Sequence, residues 1–272
     1  MTTGLTATEW SKDVLLRNKN AVVYGSAGAV GSEIARTFAR EGARVFLTGR
    51  HRTALEPIAK EIAAAGGAVE IAEVDALDPE AVDSHLDTVP TVDVSFNAIG
   101  IPQTGVQGSL LGDLSLESFL LPLTTYTKAH FVTARAAARR MAAQQSGVIL
   151  MHTAQAGRSA VPRLGGMGPT WAALEALTRQ LSVEYGEYGV RAVCLITTGM
   201  EETPLIDEVF GIHADVYGVT KEQFASQVVQ SGHRKRPTSL AELAEFAAFL
   251  ASAKAAAMTG AIANLTGGII TD

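Results

Sequence analysis

The sequence predicts an α/β protein built on a doubly wound parallel sheet of about seven strands, with helices on both faces. Two observations carry this expectation. Short β-branched runs alternate with longer Ala-rich stretches of helical spacing, and those runs are continuously apolar, as strands covered on both faces require. Composition agrees: 47% of the 272 residues are hydrophobic and 18% are charged, which favours a large core and excludes disorder.

Strands are expected at 20–24, 44–48, 69–74, 92–96, 148–152, 191–196 and 261–265, with helices filling the gaps. The chain reads as one domain over 1–272. Residues 1–18 precede the first strand. Thr6 with Glu9 fits a capping box, and Trp10 and Val14 lie one turn apart, so a small docking helix is expected there. A helix at 32–41 follows the first strand, and Asp78 before Pro79 reads as the cap of the helix after the third strand. The segment 200–237 breaks the rhythm, carrying Glu201, Glu202, Asp207, Glu208 and a basic run at 233–236. An insertion at a strand's carboxyl end is where such sheets place ligands, so it is expected to be a substrate lid.

Several function classes are disfavoured. With 22 Lys and Arg against 28 Asp and Glu, the net charge is −6, which argues against a broad nucleic-acid surface. The single cysteine, Cys194, leaves neither an intrachain disulfide nor a Cys-rich metal site, and no metal is expected. No apolar run is long enough for a bilayer, and the first residues lack the basic start and apolar stretch of a signal peptide. The expectation is a cytoplasmic protein with a small-molecule partner, and with neither membrane nor nucleic acid.

Val22-Val-Tyr-Gly25-Ser-Ala-Gly28-Ala-Val-Gly31 runs from a strand straight into a helix. Gly25 permits the tight turn, small residues let the backbone approach a pyrophosphate, and Gly31 lets helix and strand pack closely. The helix N-terminus then presents unpaired amides and its positive dipole end. A Gly-rich turn alone is weak evidence, but here strand, loop and helix come in the order that a dinucleotide requires.

At these residues the chain resembles the short-chain dehydrogenase/reductase family, whose loop reads Thr-Gly-x-x-x-Gly-x-Gly, although Tyr24 and Ala29 replace the Thr and the middle Gly. The likeness covers nearly the whole chain. Phe96-Asn97-Ala98-Ile99-Gly100 is similar to the family's Asn-Asn-Ala-Gly, Thr198-Gly199 with Thr203 to its Pro-Gly-x-x-x-Thr, and Asn264-Leu-Thr-Gly267-Gly268 to its closing strand and double Gly. The resemblance implies a Rossmann-type sheet and an oxidoreductase. Its cofactor-binding residues would be Gly25, Ser26, Ala27, Val30, Gly31, Arg50, Asp75, Ala76, Asn97, Ala98 and Thr203.

NADP(H) is expected over NAD(H). Thr48-Gly49-Arg50-His51-Arg52 has no acid for a ribose 2′-hydroxyl and offers two guanidinium groups that suit a 2′-phosphate, the plainer alternative being a solvated basic helix start. Asp75 falls where the family places a carboxylate on the adenine amine, and Asp78 is expected to leave it free by capping the next helix.

The family's catalytic Asn, Ser, Tyr and Lys are all replaced in this registration. Tyr126 stands at the Asn position, Ala154 at the Ser, Met167 at the Tyr and Trp171 at the Lys. The Tyr needs an adjacent ammonium because its free pKa is near 10. No Tyr lies between Tyr126 and Tyr185, and no Lys between Lys128 and Lys221. Met167-Gly168 resembles a dipeptide of the family's enoyl reductases, but their Tyr would fall at Leu164. Tyr217 and Lys221 have the right spacing in the wrong segment, where a chance pair one turn apart is the better reading. Trp171 reads evenly as core or as a residue beside the cofactor.

Tyr126 and Thr153 are the candidate hydrogen-bond donors, with His152 and Gln155 also near the cleft. Three functions compete. One is an NADP(H)-dependent oxidoreductase acting on a small carbonyl or enoyl compound with non-standard proton delivery. The others are a non-redox cyclase, isomerase or dehydratase, and a nucleotide-binding partner subunit without chemistry. The resemblance also implies a homodimer or homotetramer through helices four and five, where Phe131, Ala134, Ala138, Met141, Leu174, Leu177 and Leu181 are apolar.

Overall fold

The computed structural model describes residues 14–271. Strands β1 (Asn20–Tyr24), β2 (Arg44–Gly49), β3 (Ala68–Glu73), β4 (Val94–Asn97), β5 (Gly147–Ala154), β6 (Val190–Thr197) and β7 (Ile262–Asn264) form one sheet. Its order is β3-β2-β1-β4-β5-β6-β7, and every pairing is parallel. The helices are α1 (Ala29–Arg40), α2 (Arg52–Ala64), α3 (Pro79–Leu86), α4 (Leu116–Gln144), α5 (Met167–Tyr185), α6 (Pro204–Tyr217), α7 (Lys221–Ser231) and α8 (Leu240–Ala251). This is the Rossmann-type architecture expected, and the strand order reverses between β1 and β4, the switch point beside which such sheets bind ligands.

Both faces are covered, which explains why the strands do not alternate. One face packs Ile34 and Phe38 of α1, Leu55 of α2 and Leu243 of α8 over Val23, Val45 and Leu195. The other packs Leu86 of α3, Ala137 and Met141 of α4 and Leu181 of α5 over Val22, Ile149 and Met151. Ala134, Ala138 and Leu174 are likewise buried within the subunit, while Phe131 is exposed. No helix among the described residues is long and apolar enough to cross a membrane.

Most strand boundaries shift by one or two residues from expectation, and two differences have a structural consequence or cause. Helix α1 starts at Ala29, ahead of the expected 32, so the glycine loop is shorter and its last residues belong to the helix. Strand β4 starts at Val94 and not at 92, because the Gln144 side chain takes both backbone groups of Val92, accepting from the amide (2.9 Å) and donating to the carbonyl (3.1 Å).

Thr6, Glu9 and Trp10 lie outside the described residues. Where the description begins, the Leu15 amide donates to the Glu41 carboxylate (2.9 Å), and Leu16 is fully buried. The 200–237 insertion holds α6 and α7, joined by an aromatic cluster. Phe224 of α7 packs at 5.6 Å from Phe210, 5.4 Å from His213 and 6.0 Å from Tyr217, all on α6.

Candidate cofactor cleft and active site

The glycine loop turns where β1 meets α1. Gly25 has φ +70°, and a Cβ there would sit 2.7 Å from the Ala98 carbonyl oxygen. A Cβ on Gly31 would collide with the Gly25 carbonyl. Both positions therefore need glycine, and the loop and β4 can then approach each other. Ser26 is buried with its hydroxyl donating to the Val23 carbonyl (2.6 Å) and accepting from the Thr48 amide (3.2 Å), so its side chain ties β1 to β2. Ala27, Gly28, Ala29 and Val30 face open space, and Gly28 caps α1 without a side-chain bond. First-turn amides of α1 thus point at the cleft, as an anion site requires.

Two cavities meet at this loop, sharing Ala27, Gly28, Ala98, Ile99 and Gly100. The outer one, about 430 Å³, is lined by Arg50, His51, Asp75 and Ala76. Arg50 is exposed and makes no ion pair among the described residues, whereas Arg52 turns away to the Ile71 carbonyl (3.3 Å) and Glu56 (4.0 Å). Of the two guanidinium groups directly after β2, Arg50 lines the cavity and Arg52 does not. Asp78 caps α3 as expected, accepting from the amides of Glu80 (2.9 Å) and Ala81 (3.3 Å). Asp75 is nonetheless not wholly free, because its Oδ1 accepts from the Leu77 amide (2.9 Å).

The inner cavity, about 480 Å³, brings together Tyr126, Ala154, Met167 and Trp171. Trp171 packs against Tyr126, with ring centroids 4.8 Å apart. The Tyr126 hydroxyl accepts from the Ile101 amide (3.3 Å) and so keeps its own proton for donation. Burial pushes its pKa up to about 12, with the Ile101 amide and Gln103 opposing that rise. Thr153 lines the cavity but is buried, and its hydroxyl is engaged 3.3 Å from Cys194 Sγ. Asn97 is also structurally engaged, donating to Thr133 (3.0 Å) and accepting from the Ile99 amide (3.1 Å).

Three histidines line the same cavity. His152 Nε2 lies 2.7 Å from Thr197 Oγ1, and burial pushes its pKa down to about 4. His130 is pushed down to about 3 by burial and by His152, and its Nδ1 has no hydrogen-bond partner. His213 is lowered by burial and then by Arg163. All three are neutral at pH 7. The sequence reading missed His130, although it stands one helical turn beyond Tyr126 on the same face of α4.

The inserted helices close the inner cavity through Ile206, Val209, Phe210, Phe224 and Val228. Thr203, expected at the cofactor, lines the cavity and caps α6 by accepting from the Ile206 amide (3.2 Å). Glu208 fastens α6 to the β4–α4 loop, accepting from the amides of Gln103 (3.0 Å) and Thr104 (2.8 Å) and from the Thr104 hydroxyl (2.8 Å). His213 Nε2 meets Gln107 Oε1 at 3.0 Å. No sequence signal pairs residues so far apart. Tyr217 and Lys221 do not face the cavity: the ring stacks on Phe224, and the ammonium bonds Asp207.

The donor set fits a dinucleotide at the phosphate and adenosine end, where the glycine loop, the α1 amides and Arg50 line one continuous cleft. At the other end the fit is to an apolar group, with Trp171 and Met167 on its wall.

Comparison with known proteins agrees with this architecture. The family model described as enoyl-(acyl carrier protein) reductase matches residues 25–270. An uncharacterized oxidoreductase of Bacillus subtilis, YxbG, is 27% identical over 259 residues, covering 94% of this chain and 92% of that protein. L-rhamnose 1-dehydrogenase (NAD(P)(+)) of Azotobacter vinelandii is 30% identical over 273 residues, covering 95% and 99%. Among solved structures, NAD+-bound xylitol dehydrogenase is 25% identical with a TM-score of 0.86, covering 93% of this chain and 99% of that one. Sheet order, glycine loop and near full-length matches together place the chain in the short-chain dehydrogenase/reductase family of oxidoreductases.

Proposed function

We propose that this chain binds NADP(H) and acts as an oxidoreductase on a small carbonyl or enoyl compound, with proton delivery that does not use a Tyr–Lys pair. The observation carrying the reading is the two-lobed cleft, which joins a phosphate-ready glycine loop and a free Arg50 to an apolar inner chamber. Arg50, with no carboxylate at the end of β2, favours a 2′-phosphate over a bare ribose. A bound reduced nicotinamide would supply hydride.

Tyr126 is the donor that this chain offers. Held neutral by burial and lacking a neighbouring ammonium, it can give a hydrogen bond to a developing oxyanion but cannot serve as a base at pH 7. Reduction is therefore favoured over oxidation. Exposed Leu116, Leu120 and Phe131 on α4 support self-association through that helix.

The test is NADPH oxidation at 340 nm against a panel of ketones and enones. Turnover is expected, with Tyr126→Phe slowing it roughly 10²-fold while NADPH affinity is retained. No absorbance change with any substrate would overturn the redox assignment.

A further inference from the structure

We propose that the inner cavity selects an uncharged, largely apolar ring compound bearing a single carbonyl, in preference to sugars, polyols, phosphates and carboxylates. This rests on the oxidoreductase reading above, since it names the substrate class of the same site.

Charge comes first. No Asp, Glu, Lys or Arg is among the residues that line the cavity. Its ionisable groups are Tyr126 and three histidines, and burial holds all four in their neutral forms at pH 7. With the α1 amides at the glycine loop taken by a dinucleotide, a substrate phosphate or carboxylate in the rest of this space would lose its water and meet no charged side chain in the wall.

Hydrogen bonding comes second, because most polar side chains in the wall are already paired with one another. Asn97 is held by Thr133, Thr153 by Cys194, and His152 by Thr197. Gln103 donates to the Ile101 carbonyl (2.7 Å), Gln107 donates to Gln103 (2.6 Å), and Gln107 Oε1 meets His213. That chain ends at His213 Nε2, which must carry the proton given to Gln107. A polyol needs a partner for every hydroxyl it desolvates. Among the described residues the wall keeps the Tyr126 proton for a carbonyl oxygen, and its other buried atoms without a partner are His130 Nδ1, His213 Nδ1 and Gln155 Oε1, too few to serve every hydroxyl of a polyol.

Shape comes third. Trp171 against Tyr126 forms one aromatic stretch of the wall, packed with Leu164 and Met167, and Phe210 against Phe224 forms another. Flat rings suit such a wall through stacking and edge contacts.

The test is calorimetry on the full chain. NADP+ is titrated first, and then acetophenone, cyclohexenone, 4-carboxyacetophenone, xylitol and glucose 6-phosphate are each titrated with and without saturating NADP+. Neutral ketones are expected to bind roughly tenfold or more tighter than 4-carboxyacetophenone, with xylitol and the sugar phosphate weaker still. Equal or tighter binding of the carboxylate, the polyol or the phosphate would overturn the inference. If NADP+ binds and neither neutral ketone does, the inference fails while the cofactor reading stands. If NADP+ does not bind but the neutral ketones do, the cofactor reading fails and the chamber's preference stands.

Discussion

A single carbon atom decides the glycine loop. A Cβ at Gly31 would press into the Gly25 carbonyl, so Gly31→Ala must push α1 away from β1. Overpacking of this kind costs roughly 1–3 kcal/mol. Chemical denaturation of the variant should show a loss of that order, and an unchanged midpoint would contradict the close approach. Gly25 and Gly31 were legible in the sequence because backbone geometry at a tight turn depends on few neighbours. The direction of Thr153 was not. Its residue type suggested a donor, but its place on β5 turns the hydroxyl into the core against Cys194, a partner far along the chain. The direction of Arg52 was not legible for the same reason, since the Ile71 carbonyl and Glu56 draw it off.

The most consequential element is α6, held over the inner cavity by Glu208. Burial would raise the pKa of this carboxyl, but hydrogen bonds from the Thr104 hydroxyl and the Thr104 and Gln103 amides outweigh it, and the net shift is downward. A depressed folded pKa means that the clasp stabilises the lid above the ordinary carboxylate range and is lost as pH falls through the lowered value. Glu208→Ala should ease local opening by roughly 1–3 kcal/mol at pH 7. Hydrogen exchange at residues 101–108 and 204–217 would then accelerate in the variant, whereas equal protection in both proteins would show that Glu208 does not hold the lid. The segment 200–237 was recognisable as an insertion from its position after β6. Its partners on the β4–α4 loop were not, since contacts between distant segments leave no periodic trace in a sequence. The start of β4 shows the same limit, because Gln144 reaches Val92 from the far end of α4.

At the scale of the whole molecule, the sheet order was the most legible feature, because continuous apolar runs separated by helices admit few other arrangements. The cleft arises from that order. The reversal between β1 and β4 opens the crevice, and the two cavities meet there at the glycine loop. Tyr126, Ala154, Met167 and Trp171 come from three separate elements and reach one chamber only through this topology. What the sequence left open was the character of that chamber, because neutral histidines and internally paired amides are set by burial and not by residue type. Calorimetric titration of NADPH and NADH into the wild-type protein and Arg50→Ala asks whether the cleft is a working NADP(H) site. NADPH is predicted to bind the wild type roughly tenfold or more tighter than NADH, with Arg50→Ala removing most of that difference. Equal affinity for the two nucleotides, or no binding of either at roughly millimolar concentration, would contradict the account.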